Sequence, residues 1–398
     1  MPIVKEVYLC TCINQKFKKM KKNLQNALVL AMGLMTTVTF AQDWNVDSRT
    51  RVNASGDEGY QMTSQRATLG ATWGGSDWGV HVSTDLNYTL GVTGEFNMDI
   101  YEAYASTDLM GYATVTAGRQ ALNYGSGALI SSNDWNANRT TWDGLKFDLG
   151  LTDMATITVG YASANIGYTG GVDAADGYGG DSTGFAVNAQ TGAIEMTYSE
   201  VVDAVDAVDA TETENIGNMW INASGEFSGW NVNMLYMTNT AYENAATGID
   251  ISGEVMGAGI SASMNTDFNE NTMRVLGVSY AVNDDMSVNV GQTVYGEDGA
   301  FSMDGTNLSG GWANGNMGYL GAGDEMLSYG LTYNMAGISM GATMNAVTSL
   351  NESTRDVMEV SLGYSLNDNA SLAVKYATDA SGDADADKYT WLTLTVTP

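Results

Sequence analysis

His81 is the one histidine in a chain of 398 residues. A Ser/His/Asp nucleophile, a paired-histidine metal site and histidine acid–base catalysis all depend on it. It sits with Asp85 on the polar phase of an alternating stretch, so it reads as a wall residue. Cys10 and Cys12 make a lone C-x-C with no second half, which is not a metal site. Acids are plentiful, 46 in all, yet no carboxylate pair stands out at a spacing that glycoside hydrolysis would use. The runs Asp173, Asp176, Asp181, then Asp203, Asp206, Asp209, then Asp379, Asp383, Asp385, Asp387 invite a calcium reading. They lack the glycine and terminal glutamate of a calcium-binding hand. Solvated acidic loops fit them better, with diffuse divalent bridging as a second reading. The glycines follow turns and cradle no phosphate. No catalytic residue, metal ligand or cofactor is therefore assigned.

The charged residues with a pattern are Arg119, Asp134, Arg139, Asp143 and Lys146. They surround a strand at 112–120, a Gly/Asn/Ser-rich connection at 121–140 and a returning strand at 141–149. Leu145, Phe147 and Leu149 alternate with Gly144, Lys146 and Asp148, so the strand has an apolar and a wet face. Lys146 belongs to the wet face. If the connection folds inward, Arg119, Arg139 and Lys146 come near Asp134 and Asp143 and make an opposed-charge constriction. The same residues also read as ion pairs staking the connection to a wall, and the two readings overlap.

This segment resembles the alginate-export porin family of Gram-negative outer membranes. The resemblance rests on Gly118-Arg119-Gln120, Asn123-Tyr124-Gly125, Gly127, Leu129-Ile130, Asp134-Trp135, Arg139 and Asp143-Gly144-Leu145-Lys146. It covers about a tenth of the chain. The family carries Asp where Ser126 stands and a basic residue where Ala128 stands. The resemblance implies a porin barrel, and uronate polymer export or uptake of organic acids or sugars.

Composition points to a barrel independently. Two prolines occur, Pro2 and Pro398, so no backbone donor is missing between them. An uninterrupted hydrogen-bonded ladder needs such a chain. Met20-Lys21-Lys22, an apolar run at 24–35 and Thr39-Phe40-Ala41 read as a secretory signal over 20–41, cleaved after Ala41. Residues 1–19 precede it as an over-extended start, and 42–398 is expected to be the barrel. Five net positive charges leave with the leader, taking −30 to −35. So acidic a chain repels nucleic acid and anionic headgroups. No stretch after the leader is long and apolar enough for a transmembrane helix. A barrel crosses with strands that look half apolar.

The period-two signal is cleanest at 78–88: Trp78, Val80, Val82, Thr84, Leu86 and Tyr88 against Gly79, His81, Ser83, Asp85 and Asn87. Trp73 and Trp78 flank the turn at 74–77, and Phe227 and Trp230 flank Ser228-Gly229, like interfacial rings beside short turns. Alternation predicts strands at 46–54, 60–73, 78–89, 95–107, 112–120, 141–149, 154–164, 184–190, 193–201, 216–225, 230–240, 273–282, 286–295, 326–334, 337–347, 355–366, 370–377 and 388–397. That is an all-β, antiparallel up-and-down transmembrane barrel of about eighteen strands, within a range of 16–20. The segment 248–265, with halves of about eight residues, is expected to be loop. Short and long connections alternate, as the two rims of a barrel require.

The expected function is an outer-membrane porin, a passive diffusion channel for small hydrophilic solutes or ions, leaning towards cations because the chain is acidic. His81, Asp85, Arg119, Asp134, Arg139, Asp143 and Lys146 are its expected pore-lining residues. Outer-membrane lipid and lipopolysaccharide are the expected surroundings, and a homotrimer is compatible with the reading. The alternative is a non-conducting barrel or surface adhesin with acidic cation-binding loops. An enzyme is not expected.

Overall fold

The computed structural model describes residues 41–55, 62–91, 96–134, 139–152, 154–164, 168–169, 182–187, 194–198, 211–212, 216–303, 320–382 and 385–397. The leader with Cys10 and Cys12, the acid runs at Asp173–181 and Asp203–209, and Asp383 lie outside the described residues.

The strands, in chain order, begin with β1 (Ala41–Asn53), β2 (Met62–Gly74), β3 (Trp78–Leu90), β4 (Phe96–Leu109), β5 (Ala113–Gln120), β6 (Trp142–Thr152) and β7 (Ala155–Ala164). Four short pieces follow: β8 (Tyr168–Thr169), β9 (Ser182–Val187), β10 (Ile194–Tyr198) and β11 (Thr211–Glu212). Then come β12 (Ile216–Phe227), β13 (Trp230–Asn239), β14 (Ala246–Val255), β15 (Ala258–Thr266), β16 (Thr272–Ala281) and β17 (Met286–Tyr295). The last are β18 (Glu325–Met335), β19 (Ile338–Thr348), β20 (Thr354–Asn367), β21 (Ala370–Ser381) and β22 (Asp387–Val396). Eighteen of them form one sheet in which each strand pairs antiparallel with its neighbours, β7 with β12, and β22 back onto β1. The sheet has no free edge, so every rung of the ladder has a partner.

Two expected strands and one expected loop exchange places. The described parts of 184–190 and 193–201, within β9 and β10, do not pair with the barrel strands. β9 and β10, of six and five residues, form a separate two-stranded ribbon. Residues 248–265 do enter it, because β14 and β15 extend to ten and nine residues. A spanning strand needs about 9–11 residues, and β14 and β15 reach that length. The total of eighteen survives because the exchanges cancel.

Tight turns close one rim. Ser228-Gly229, Met256-Gly257 and Ala336-Gly337 are two-residue connections in which both residues have positive φ. That is the type I′ geometry, whose twist suits a hairpin and whose second position favours glycine. The opposite rim carries the longer connections, and both ends of the sheet's chain, at β1 and β22, reach the tight-turn rim.

The outer phase is apolar around the cylinder. Trp44 and Val46, Met219 and Ile221, Leu276 and Val278, Val288 and Val290, Val360 and Leu362, Leu392 and Leu394 are all exposed. Trp78, Phe227 and Tyr364 stand exposed near the tight turns, and Tyr88, Tyr161 and Tyr236 towards the other rim, as two interfacial girdles would. Water would penalise a continuous apolar belt of this extent. The inner phase is not uniformly wet, contrary to simple alternation. Trp220, Met237, Met273, Tyr295, Met326 and Val347 point inward and are buried. They pack against Leu122, Ala128, Leu129 and Ile130 of the β5–β6 connection and Phe301, Met303 and Leu320 of the β17–β18 connection. Each large side chain so buried favours the inward fold of these connections by roughly 1.5–3 kcal/mol.

Candidate pore constriction

The β5–β6 connection turns into the barrel and is braced on two walls. On the first, Tyr124 Oη accepts a hydrogen bond from Trp220 Nε1 at 3.2 Å. A tight turn follows, with Gly127 N–H donating to the Tyr124 carbonyl at 2.9 Å and Tyr124 N–H to the Ile130 carbonyl at 3.2 Å. Its tip reaches β14 and β15: Ser126 N–H donates to Asp250 Oδ2 at 3.1 Å, and Ser263 Oγ donates to the other carboxylate oxygen. Gly125 has φ +54° there, and a Cβ would lie 1.9 Å from Asp250 Oδ2. Only a residue without a side chain allows this approach. Burial pushes the Tyr124 phenol up to about 12, which favours its neutral form.

On the other wall the connection ends in a set of charges. Arg49 and Arg66 are directly opposite across β1 and β2, a like-charge pairing that is unfavourable alone. Asp134 bridges them. Its carbonyl accepts from Arg49 Nη1 at 2.8 Å and Arg66 Nη1 at 3.0 Å, and its carboxylate from Arg66 Nη2 at 3.0 Å. Arg139 Nη1 donates to the same carboxylate at 3.2 Å, and its Nε to Asp85 Oδ2 at 3.0 Å. The guanidinium lies 3.3 Å from the Tyr101 ring centre, a cation–π contact. Burial works against the charge on Arg139, but the hydrogen bonds that it donates to Asp85 and the nearby Tyr101 and Asp134 outweigh it and hold its pKa above the ordinary value. Charge-assisted bonds of this kind contribute about 1.5–3 kcal/mol each when shielded from water.

The seven sequence-chosen residues fall into four groups rather than one. Arg139, Asp134 and Asp85 are brought together. Arg119 and Asp143 form a bidentate pair at 2.7 and 2.6 Å. They face each other across β5 and β6 on the phase of Leu145 and Phe147, apart from the Asp134 set. Lys146 bonds Asp148 at 2.7 Å on its own strand. His81 is buried in the β3 wall, with Nδ1 2.7 Å from Thr72 Oγ1, Nε2 3.6 Å from Glu102 and the ring stacked on Tyr104 at 5.1 Å. Residues that alternation alone did not single out are Arg49, Arg66, Tyr101 and Asp250. Arg49 and Arg66 become conspicuous once β1 and β2 are placed in register, since two opposed cations demand an anion. Of the last acid run, Asp379 is held by Arg355 through two bonds of 2.7 Å.

The barrel is similar in its fold to several solved structures. OccK5 (OpdH) of Pseudomonas aeruginosa superimposes with a TM-score of 0.65 at 11% identity, over 89% of this chain and 97% of that one. OccAB4 of Acinetobacter baumannii gives 0.63 at 11%, over 90% and 99%. The outer membrane protein opdK of Pseudomonas aeruginosa gives 0.64 at 10%, over 90% and 99%. The fold is that of an outer-membrane porin. No family model matches the sequence, and no curated protein does. At these identities the likeness carries the barrel architecture alone.

Proposed function

We propose that this chain is a porin of the Gram-negative outer membrane, a passive diffusion channel for small hydrophilic solutes that leans towards cations. The observation that carries the reading is the two-walled bracing of the β5–β6 connection inside a closed cylinder, with Asp250 at one end and Asp134 at the other. A connection held across the interior narrows the passage without sealing an edge, and charged walls then bias what enters. The apolar outer belt and the similarity to porin barrels support a membrane setting. The resemblance of residues 112–150 to alginate-export porins supports the same reading, and Ala128 and Ser126 set this chain apart there. Ala128 is buried in the interior core, where a basic side chain would have no room for its water.

The cation bias rests on placement. Around the braced connection Arg49, Arg66 and Arg139 face Asp134 and Asp85, one positive charge more than negative, so the bias is assigned to the mouth rather than to this set. At the tight-turn end, Asp43, Asp47, Glu226 and Glu254 share the inner phase. Passing ions meet net negative charge at that mouth. Reversal potentials across a potassium chloride gradient test this. A sign corresponding to potassium preference supports it, and chloride preference overturns it.

A further inference from the structure

At the long-connection rim the interior opens into a cavity of about 710 Å³, a size typical of small-molecule sites. Aromatic rings line it: Trp142 of β6, and Tyr242 and Phe268, which stack on each other at 4.9 Å with 12° between planes. Trp142 in turn packs on Trp220 at 5.9 Å. Between the rings stand Asn218, Asn239 and Asn269, and Asn239 Nδ2 donates to Asn218 Oδ1 at 2.9 Å.

The charges bordering this cavity are already occupied. Arg119 and Asp143 hold each other, and Arg139 is only 7% exposed and engaged by Asp85, Asp134 and Tyr101. A carboxylate or ammonium ligand would have to break one of these pairs, at the cost of leaving a charge without its partner. What remains is the second lone pair and second N–H of a set of primary amides, between flat apolar rings; Asn239 Oδ1 already accepts from Ala241 N–H at 2.8 Å. A hydroxyl is likewise donor and acceptor, and the C–H face of a sugar ring is apolar and flat.

We propose that this vestibule is a binding site for a neutral, polyhydroxylated ring, the chemistry of a mono- or disaccharide, held between the Tyr242–Phe268 stack and Trp142 by the Asn218–Asn239 pair and Asn269. The proposal rests on the channel reading, for which the vestibule is the entrance. Its occupant would sit above the Asp134 charge set and enter the passage from there.

The test uses the full chain in planar bilayers, with maltose as the neutral probe and gluconate as its anionic counterpart. Millimolar maltose should interrupt the ionic current more strongly than gluconate. Tyr242→Ala, at a half-exposed position, should weaken that block about tenfold, the loss of about 1.4 kcal/mol of binding. Asn239→Ala should do the same. Normal conductance with no maltose block, or stronger block by gluconate, overturns the proposal and leaves the channel reading intact. Absence of any conductance defeats the channel reading instead. Maltose-induced change in tryptophan fluorescence of the detergent-solubilised protein, lost in Tyr242→Ala, then decides the site by itself.

Discussion

Ser126 and Asp250, 124 positions apart, are joined by one hydrogen bond of 3.1 Å from a backbone N–H to a carboxylate oxygen. It fixes the tip of an inward-folded connection to the opposite strands β14 and β15. Without it the tip would keep its apolar packing, the Tyr124–Trp220 hydrogen bond and a longer contact of 3.5 Å between the Ser126 and Ser263 hydroxyls.

Asp250→Ala should therefore free the tip, at a cost of about 1.5–3 kcal/mol for a charge-assisted bond. Single-channel records should become noisier with a higher mean conductance. Asp250→Asn keeps one acceptor and should show a smaller change. Identical traces for wild type and Asp250→Ala would mean that the contact does not shape the passage.

Gly125→Ala should mimic Asp250→Ala, because its methyl group would occupy the space of the same carboxylate and its φ of +54° disfavours a side chain. The double substitution should add little beyond either single one, since both remove one contact. Fully additive changes in conductance noise would show two unrelated effects.

Asp134→Asn leaves Arg49 and Arg66 opposed with a weakened bridge. The reversal potential should move towards anions. Thermal stability should fall at low salt and recover partly as salt is raised, because mobile ions screen the repulsion. A loss of stability independent of salt would point to packing rather than charge.

The Tyr124 phenol gives a pH dependence with a definite sign. Its pKa is raised, from 10 to about 12, so the folded state favours the neutral form. The associated stability is fully present below pH 10 and lost as pH rises through about 12. Thermal melts of wild type and Tyr124→Phe should run parallel up to pH 10, and the gap between them should narrow above it. A gap that widens with alkali contradicts the placement of Tyr124.

Much of the barrel was legible because period-two alternation and a chain free of internal proline leave little else. Trp78 to Tyr88 shows it, with His81 and Asp85 on the inner side as expected. Residues 246–266 show the limit: alternation there is no better than over 184–201, and it is pairing with β13 and β16 that carries β14 and β15 to spanning length. The charge site was half legible. Asp134 and Arg139 lie within one connection in sequence, but Arg49, Arg66 and Asp250 come from strands whose neighbours depend on register, which no local pattern encodes. The apolar inner residues Trp220 and Tyr295 were hidden for a related reason. They answer to connections that fold back upon them, not to their own strands.

The measurement closest to the central claim is planar-bilayer recording from the detergent-purified chain. A water-filled cylinder narrowed by the β5–β6 connection should give stepwise conductance of uniform size, enlarged by Asp250→Ala. A protein that inserts and stays electrically silent in both forms would contradict it.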